Sequence, residues 1–104
     1  MITIYGSEMC PDCRECKRNF DAHGIAYEFL SVTEELKNLR AFLILRDGNA
    51  VFDRLKAIHD IGLPACVLED GTVFTDWEGY LKDRGLTVTY TEIGPACSLD
   101  GKGC

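Results

Sequence analysis

The chain has 104 residues, a hydrophobic content of 46% and a formal net charge of −6 at neutral pH. This length supports one hydrophobic core rather than two, and the hydrophobic content argues against disorder of the body of the chain. The negative charge would repel phosphate groups, so we expect no nucleic acid partner.

The amino terminus and the cysteines indicate where the protein works. No stretch approaches the roughly 20 apolar residues of a membrane span, and the first residues lack the basic and apolar regions of a signal peptide. We therefore expect a cytoplasmic protein that is not attached to a membrane. In that setting, the six cysteines indicate redox catalysis or metal binding rather than a secreted disulfide framework.

The first part of the chain has the pattern of a βαβ unit. Residues 2–5 are a β-branched and aromatic run that predicts a buried strand, and Pro11 suits the first turn of a helix. This helix should end near Gly24. The alternation over residues 26–32 predicts a second strand, which should be parallel to the first because a helix connects them.

Helical patterns follow the second strand. Thr33 is predicted to be the N-cap of a helix that ends at Gly48. Its predicted apolar face consists of Leu36, Leu39 and Leu43. A further short helix is predicted to end at Gly62, either separate from the first or continuous with it except for a break at Gly48. The apolar residues of this second pattern are Phe52, Leu55, Ile58 and Ile61.

A hairpin and a last helix complete the predicted domain. Residues 65–68 and 72–74 are strand-like and are separated by a turn at residues 70–71. Asp76 can cap a helix that runs to about Arg84. We therefore predict an α/β fold in which a βαβ unit is followed by a helix and a ββα unit, giving a mixed four-stranded sheet flanked by helices.

The C-terminal residues differ in composition from the rest. We place the domain in residues 1–85 and a C-terminal extension in residues 86–104. In the extension, apolar residues first alternate with threonines, which predicts an edge strand or an extended segment lying on the domain. The glycine and small residues that follow predict a flexible tail, which contains Cys97 and Cys104.

Cys10 and Cys13 form a C-x-x-C pair at the start of the first helix. Unpaired backbone amides and the helix dipole favour a thiolate at this position, so Cys10 is the predicted nucleophile. Cys13, one helical turn away, can attack a mixed disulfide on Cys10 and release the reduced substrate. Basic residues on the helix should lower the pKa of Cys10, whereas flanking carboxylates should raise it. The basic residues are Arg14, Lys17 and Arg18, and the carboxylates are Glu8 and Asp12.

Two motifs resemble those of the glutaredoxin family in the thioredoxin-like superfamily. They are the Cys-Pro-Asp-Cys sequence at residues 10–13 and the Leu63-Pro64 pair before the hairpin. The resemblance implies a thioredoxin-like fold and a cis Leu63-Pro64 bond beside the dithiol. It also implies that the backbone of Leu63 pairs with the substrate as an added strand. Pro11 and Asp12, together with Pro64, are the other expected contacts of the substrate near the dithiol.

The resemblance implies a thiol-disulfide oxidoreductase that reduces protein or low-molecular-weight disulfides. We expect no bound cofactor, and a supply of electrons from glutathione or from a donor of the thioredoxin-reductase type. Thr75 and Asp76, at a helix terminus, could hold a γ-glutamyl group. Alternatively, Asp76 is only an N-cap and Trp77 is a core aromatic residue. The sequence departs from the usual family pattern because Asp12 replaces a tyrosine, Glu8 stands where a basic residue is frequent, and a Gly-Gly pair is missing.

Cys16 extends the motif to C-x-x-C-x-x-C and leaves a metal-binding alternative open. In this alternative, Cys10, Cys13 and Cys16 join a cysteine of the tail in a zinc or iron–sulfur site. Against it, Cys13 and Cys16 share a helix face with Phe20, which favours Cys16 as a small buried hydrophobic residue.

The remaining cysteines have separate expectations. Cys66 is expected in the core. Cys97 and Cys104 could be metal ligands, a second disulfide, or free thiols that exchange electrons with Cys10 or link two chains. A third class of function, a redox-inert interaction domain, would use none of these thiols chemically.

Overall fold

The structure, a computed structural model, describes residues 1–92 of the chain. In chain order, the elements are β1 (Ile2–Gly6), α1 (Pro11–Ala22), β2 (Tyr27–Ser31), α2 (Leu36–Asp47), a short 3-10 helix (Ala50–Phe52), α3 (Asp53–Ala57), β3 (Ala65–Val67), β4 (Val73–Phe74) and α4 (Trp77–Asp83). None of the helices in these residues is long and apolar enough to cross a bilayer. The predicted flexible tail, which contains Cys97 and Cys104, lies outside the described residues.

The four strands form one mixed sheet in the order β2-β1-β3-β4. β1 and β2 are parallel, because α1 connects them as a crossover, and the other neighbouring pairs are antiparallel. This arrangement confirms the predicted α/β fold of thioredoxin-like type. It places the start of α1 at the carboxyl end of β1, an edge where open α/β sheets commonly form their sites.

The core consists of two clusters of buried side chains. The first joins β1 and β3 to α1 and α4, and contains Ile2, Ile4, Cys16, Phe20, Cys66, Trp77 and Leu81. The second brings α2 and α3 to the end of the sheet, and contains Cys13, Val32, Phe42, Phe52, Leu55, Leu63 and Ala65. The second cluster therefore supports the C-x-x-C motif directly, because Cys13 is one of its members.

The start of α2 differs from the prediction. Glu35, not Thr33, is the N-cap residue, and its side chain makes no capping hydrogen bond. The hydroxyl of Thr33 is instead hydrogen-bonded to the hydroxyl of Ser7, at 2.8 Å, and lies 3.3 Å from that of Ser31. The predicted N-cap is wrong because Thr33 ties β2 to the loop that follows β1.

The buried face of α2 also differs from the prediction. Leu36 is 81% exposed and Leu43 is 43% exposed, whereas Asn38 and Phe42 are buried. The Asn38 amide donates a hydrogen bond to the Ser31 carbonyl, which satisfies a polar group in the interior. The prediction is thus wrong for two of its three leucines, because a buried asparagine sets the rotation of the helix.

The helix predicted to end at Gly62 is shorter than expected. Phe52 and Leu55 are buried as predicted, but α3 ends at Ala57, and Ile58 and Ile61 are more than half exposed. Gly62 has a φ of +96°, and a Cβ there would lie 2.9 Å from the Phe52 ring. The chain therefore leaves the helix early, and Gly62 provides the turn that leads to β3.

Residues 86–92 lie across α1 and α4 as an extended segment that we call the C-terminal strap. Within the described structure this segment forms no strand, and it packs on the first core cluster. Asn19 on α1 accepts a hydrogen bond from the Thr89 amide and donates one to its carbonyl. Tyr90 packs against Trp77, with ring centroids 6.5 Å apart. The strap thus completes one side of the first core cluster.

Candidate active site

Cys10 is the N-cap residue of α1, with its side chain facing the first turn of the helix. Its Sγ accepts a hydrogen bond from the Cys13 amide at 3.2 Å. The hydrogen bond from the Cys13 thiol lowers the pKa of Cys10 most, and it outweighs partial burial, which raises this pKa. Cys10 is also partly exposed to solvent. Its thiolate is therefore both favoured and accessible.

Cys13 has the opposite environment. Its side chain is completely buried in the second core cluster. The pKa of its thiol is raised far above the ordinary value, first because its proton is shared with Cys10 and then because of burial. These opposite shifts favour the proton on the inner sulfur and the negative charge on the outer one.

The residues between the two cysteines have different exposures. Pro11 begins the helix and is half-buried. Asp12 is only 3% exposed, and its carboxylate accepts a hydrogen bond from the Trp77 indole at 3.1 Å. The Asp12 side chain thus points inward to the indole, and its expected contact with a substrate stays a prediction. Its charge still acts on Cys10 and raises the pKa of that thiol.

The Leu63-Pro64 bond is cis, as the resemblance implied. Leu63 is 6% exposed and belongs to the same core cluster as Cys13, while Pro64 is fully buried. Cys10 packs against this cluster from its half-buried position. Leu63, in the loop before β3, and both cysteines of the motif therefore share one core cluster.

The start of α4 matches the simpler of the two sequence interpretations. The Asp76 carboxylate accepts a hydrogen bond from the Gly79 amide at 3.0 Å, so Asp76 is the N-cap of α4. Trp77 is fully buried and Thr75 is 7% exposed. Binding of a γ-glutamyl group by Thr75 and Asp76 remains a prediction.

The basic residues of α1 all have carboxylate partners. Arg14 binds Glu92 through two nitrogens, at 2.7 and 2.9 Å. Arg18 binds Glu92 as well, and Lys17 binds Glu8. The three cations are thus compensated by carboxylates, and none of them is among the main causes of the lowered pKa of Cys10. Arg14 interacts with the Cys10 thiolate, but less strongly than with Glu92.

Glu15 is a buried anchor residue that the sequence did not predict. Its carboxylate is fully buried and accepts hydrogen bonds from the Thr91 amide, the Thr91 hydroxyl and the Glu92 amide, at 2.8, 2.9 and 3.1 Å. Arg18 donates to the same carboxylate at 2.9 Å. Glu15 thereby fixes the end of the strap to α1, and nothing in the local sequence distinguishes it from an exposed acidic residue of a helix.

Cys16 and Cys66 are both fully buried in the first core cluster, as predicted. Their thiols are hydrogen-bonded to each other, and burial is the main cause of the raised pKa of Cys16. Among residues 1–92, no three histidine, cysteine or acidic side chains are grouped so as to hold a metal ion. A metal site completed by Cys97 or Cys104 lies outside the described residues.

Gly6 leaves space for the inner sulfur. A Cβ at this position would lie 3.0 Å from the Cys13 Sγ and 2.8 Å from the Phe29 ring. We expect Gly6→Ala to destabilise the reduced protein by about 1–3 kcal/mol, because a closely packed core must shift. Urea unfolding measures this loss. Gly48→Ala, whose Cβ would meet only a carbonyl oxygen at 3.4 Å, is the matched control, and an equal loss in both variants would contradict the expectation.

Asp12 provides a pH-dependent test of the site. Its charge raises the pKa of Cys10, so Asp12→Asn should lower this pKa while an amide oxygen still accepts from Trp77. The thiolate fraction, and with it the alkylation rate, should then rise at a lower pH than in the wild type. The pH profile of iodoacetamide alkylation measures the shift, and Asp83→Asn, on the exposed end of α4, is the control. An unchanged or raised midpoint in Asp12→Asn would contradict the expectation.

Comparisons with known proteins agree with this geometry. The Glutaredoxin family model matches residues 2–49, which include β1, both cysteines of the motif, β2 and α2. An uncharacterized protein of Haemophilus influenzae is 36% identical over 73 residues, which cover 70% of this chain and 85% of the relative. No solved structure gave a significant match. With its mixed four-stranded sheet and its dithiol at the start of α1, the chain is a glutaredoxin-related protein of the thioredoxin-like type.

Proposed function

We propose that the protein is a thiol-disulfide oxidoreductase in which Cys10 is the nucleophile and Cys13 is the resolving thiol. The observation that carries this proposal is the contrast between the two sulfurs. Cys10 is partly exposed and has a lowered pKa, whereas Cys13 is buried and has a raised one. In such a pair the outer sulfur attacks the substrate disulfide first, and the inner sulfur reacts only in the second step.

The proposed reaction has two exchange steps. The Cys10 thiolate attacks one sulfur of a substrate disulfide, forms a mixed disulfide and expels the other substrate thiolate. Cys13 then attacks the Cys10 sulfur and releases the second substrate thiol. Two electrons pass to the substrate, and its two thiolates take up protons, one of them from Cys13, as the Cys10–Cys13 disulfide forms.

The second step is favoured by the first. The Cys13 thiol has a raised pKa first because it shares its proton with Cys10, and then because of burial and of the neighbouring Cys10 charge. Once Cys10 is part of a mixed disulfide, that charge is gone and the sulfur is a weaker acceptor. The pKa of Cys13 should therefore fall at the stage at which its thiolate is needed.

The proposed substrates are protein or low-molecular-weight disulfides. The buried cis Leu63-Pro64 pair next to the dithiol supports a role for the Leu63 backbone in pairing with an extended substrate. Pro11 and Pro64 would border the reacting sulfur. Glutathione or a donor of the thioredoxin-reductase type would return the Cys10–Cys13 disulfide to the dithiol.

Alkylation by iodoacetamide in graded glutathione buffers, followed by mass mapping of each cysteine, tests the proposal. We expect Cys10 to react fastest at neutral pH, and Cys10 and Cys13 to be lost together as a reversible disulfide when the buffer becomes oxidising. Protein unfolded in urea is the control, because all the cysteines should then react alike.

Two results would contradict the proposal. One is a Cys10 that reacts no faster than Cys97 or Cys104 in the native protein. The other is stoichiometric zinc or an iron–sulfur chromophore after purification without oxygen, with Cys10, Cys13 and Cys16 protected from alkylation until the metal is removed.

A further inference from the structure

Positive charge is concentrated in one part of the described structure. Residues 36–61, which include α2 and α3, hold five lysines and arginines but only three aspartates, in a chain with a net charge of −6. On α1, every cation is paired with a carboxylate. In residues 36–61, only Lys37 lies near one, 3.7 Å from Glu35. The other four cations have no carboxylate partner among residues 1–92, and they are Arg40, Arg46, Arg54 and Lys56.

The same part of the chain exposes apolar side chains. Eight large hydrophobic residues are exposed in the described structure, and six of them lie in residues 36–61. These six are Leu36, Leu43, Ile44, Val51, Ile58 and Ile61. Exposed apolar surface that is bordered by charges is typical of a surface that binds a partner.

A groove between α2 and the residues after α3 combines the two properties, and we call it the α2–α3 groove. Its floor is apolar, because Leu39 and Phe42 belong to the second core cluster. Leu43 and Ile61 line it as exposed apolar residues, and Arg46 and Lys56 add positive charge. The groove can therefore accept an apolar side chain with negative charge beside it.

Arg46 is held in place at this groove. Its guanidinium donates to the carbonyl oxygens of Asp60 and Ile61, both at 2.9 Å. A side chain that is already fixed loses little conformational freedom when it binds a ligand. The Asp60 carboxylate also lines the groove, but it accepts a hydrogen bond from the Gly62 amide at 3.2 Å and is thereby tied to the loop. Arg46 is thus a cation that is prepared to bind a carboxylate.

The groove lies close to the loop that we propose to pair with an extended substrate. Ile61 comes two residues before Leu63, and two residues of extended chain span at most about 7 Å. Leu63 and Cys13 belong to the same core cluster as the floor of the groove. A substrate segment next to the reacting disulfide can therefore reach the groove.

We propose that the α2–α3 groove binds a segment of a protein substrate in which a bulky apolar side chain is flanked by aspartates or glutamates, an inference that rests on the proposed oxidoreductase function. The apolar side chain packs on Leu39 and Phe42. The carboxylates bind Arg46 and Lys56. The reacting disulfide itself is neutral or basic, because the cations nearest to Cys10 along α1 are already paired with carboxylates.

Two observations favour a protein segment over an anionic membrane surface. The site is a groove whose floor is part of the core, which suits a single side chain better than a flat layer of lipid headgroups. The net charge of −6 also repels an extended anionic surface, whereas a short acidic segment meets mainly the local cations.

Chemical-shift mapping tests the binding without sulfur chemistry. The probe is the cysteine-free peptide Glu-Leu-Glu-Phe-Glu, capped at both ends and titrated at low salt into nitrogen-15-labelled protein. We expect the backbone amides of residues 39–46 and 56–61 to shift most. Lys56→Glu should weaken binding about tenfold, because it reverses a charge of the groove. Lys82→Glu, on exposed α4 surface, is the matched control and should bind like the wild type.

Reduction kinetics connect this binding to the proposed function. The acidic segment, or its version with lysine in place of glutamate, is joined in either order to a disulfide-bridged Cys-Gly-Gly-Cys segment, and the bare disulfide is the reference. Relative to this reference, kcat/KM should be about tenfold higher for the better acidic peptide than for the lysine peptides. This advantage should fall several-fold in Leu43→Ser. It should persist in Ile44→Ser, because Ile44 is exposed on α2 but does not line the groove.

Several results would overturn the proposal. The acidic peptide shifts no amide of the groove, or Lys82→Glu weakens binding as much as Lys56→Glu. Phosphatidylglycerol vesicles bind the protein more tightly than the peptide does, or the groove amides shift on dilution without peptide, which would identify a membrane or a second copy as the occupant. A protein that binds the peptide but does not reduce the bare disulfide keeps the binding site and lacks the oxidoreductase function, so the two failures are distinguishable.

Discussion

Cys10→Ser is expected to reduce disulfide reduction to the rate of the reaction without enzyme. The serine hydroxyl stays protonated at neutral pH and does not attack a disulfide. The first exchange step depends on the outer sulfur alone. Cys13→Ser should have a different effect. The first step remains, so a mixed disulfide between Cys10 and the substrate should accumulate, and turnover should then depend on an added small thiol. Insulin reduction and intact-protein mass measure the two effects.

Cys16→Ala is the matched control for these substitutions. It removes a buried thiol of the same helix from a position that packs in the first core cluster and does not face a substrate. Activity per folded molecule should be retained. Equal loss of activity in Cys10→Ser and Cys16→Ala, with the fold intact in both, would argue against a specific nucleophile.

Glu15→Ala is expected to cost about 3–5 kcal/mol of stability, because it breaks a buried charged network and leaves its partners without an acceptor. The affected donors are the Thr91 and Glu92 amides and the Thr91 hydroxyl. The strap should detach from α1. Urea unfolding measures the stability, and hydrogen exchange at residues 86–92 measures the detachment.

Glu92→Gln is the matched control for the strap. The Glu92 carboxylate and its arginine partners are 30–42% exposed, and ion pairs that are open to solvent contribute little to stability. The backbone amide of residue 92 keeps its bond to Glu15. A loss as large as that of Glu15→Ala would mean that the surface charges, not the buried carboxylate, hold the strap.

The sequence predicted those features that depend on local patterns. Three local features follow directly from the residues that form them. They are the start of α1 at Pro11, the N-cap of α4 at Asp76 and the turn at residues 70–71. The burial of Cys16 follows from helix periodicity for the same reason. The cis bond at Leu63-Pro64 came from the family resemblance, since no local rule requires that isomer.

Features that depend on distant partners were not predicted. The hydroxyl of Thr33 is hydrogen-bonded to Ser7, so Thr33 does not cap α2. The side-chain amide of Asn38 donates to the Ser31 carbonyl, so a polar residue lies on the buried face of that helix. Glu15 was missed because its partners lie more than seventy residues away in the strap. A single acidic residue in a helix gives no signal that separates a buried anchor from a solvated surface charge.

The pairing of Arg14, Lys17 and Arg18 with Glu8, Glu15 and Glu92 has a kinetic consequence. Because these cations are compensated, the surface around Cys10 does not reverse the negative field of a chain with a net charge of −6. Added salt should then speed the encounter with a negatively charged disulfide by screening repulsion. At low ionic strength, neutral or cationic disulfides should encounter the enzyme faster than negatively charged ones. The charge of the protein would then favour some substrates at the encounter step, before the exchange reaction.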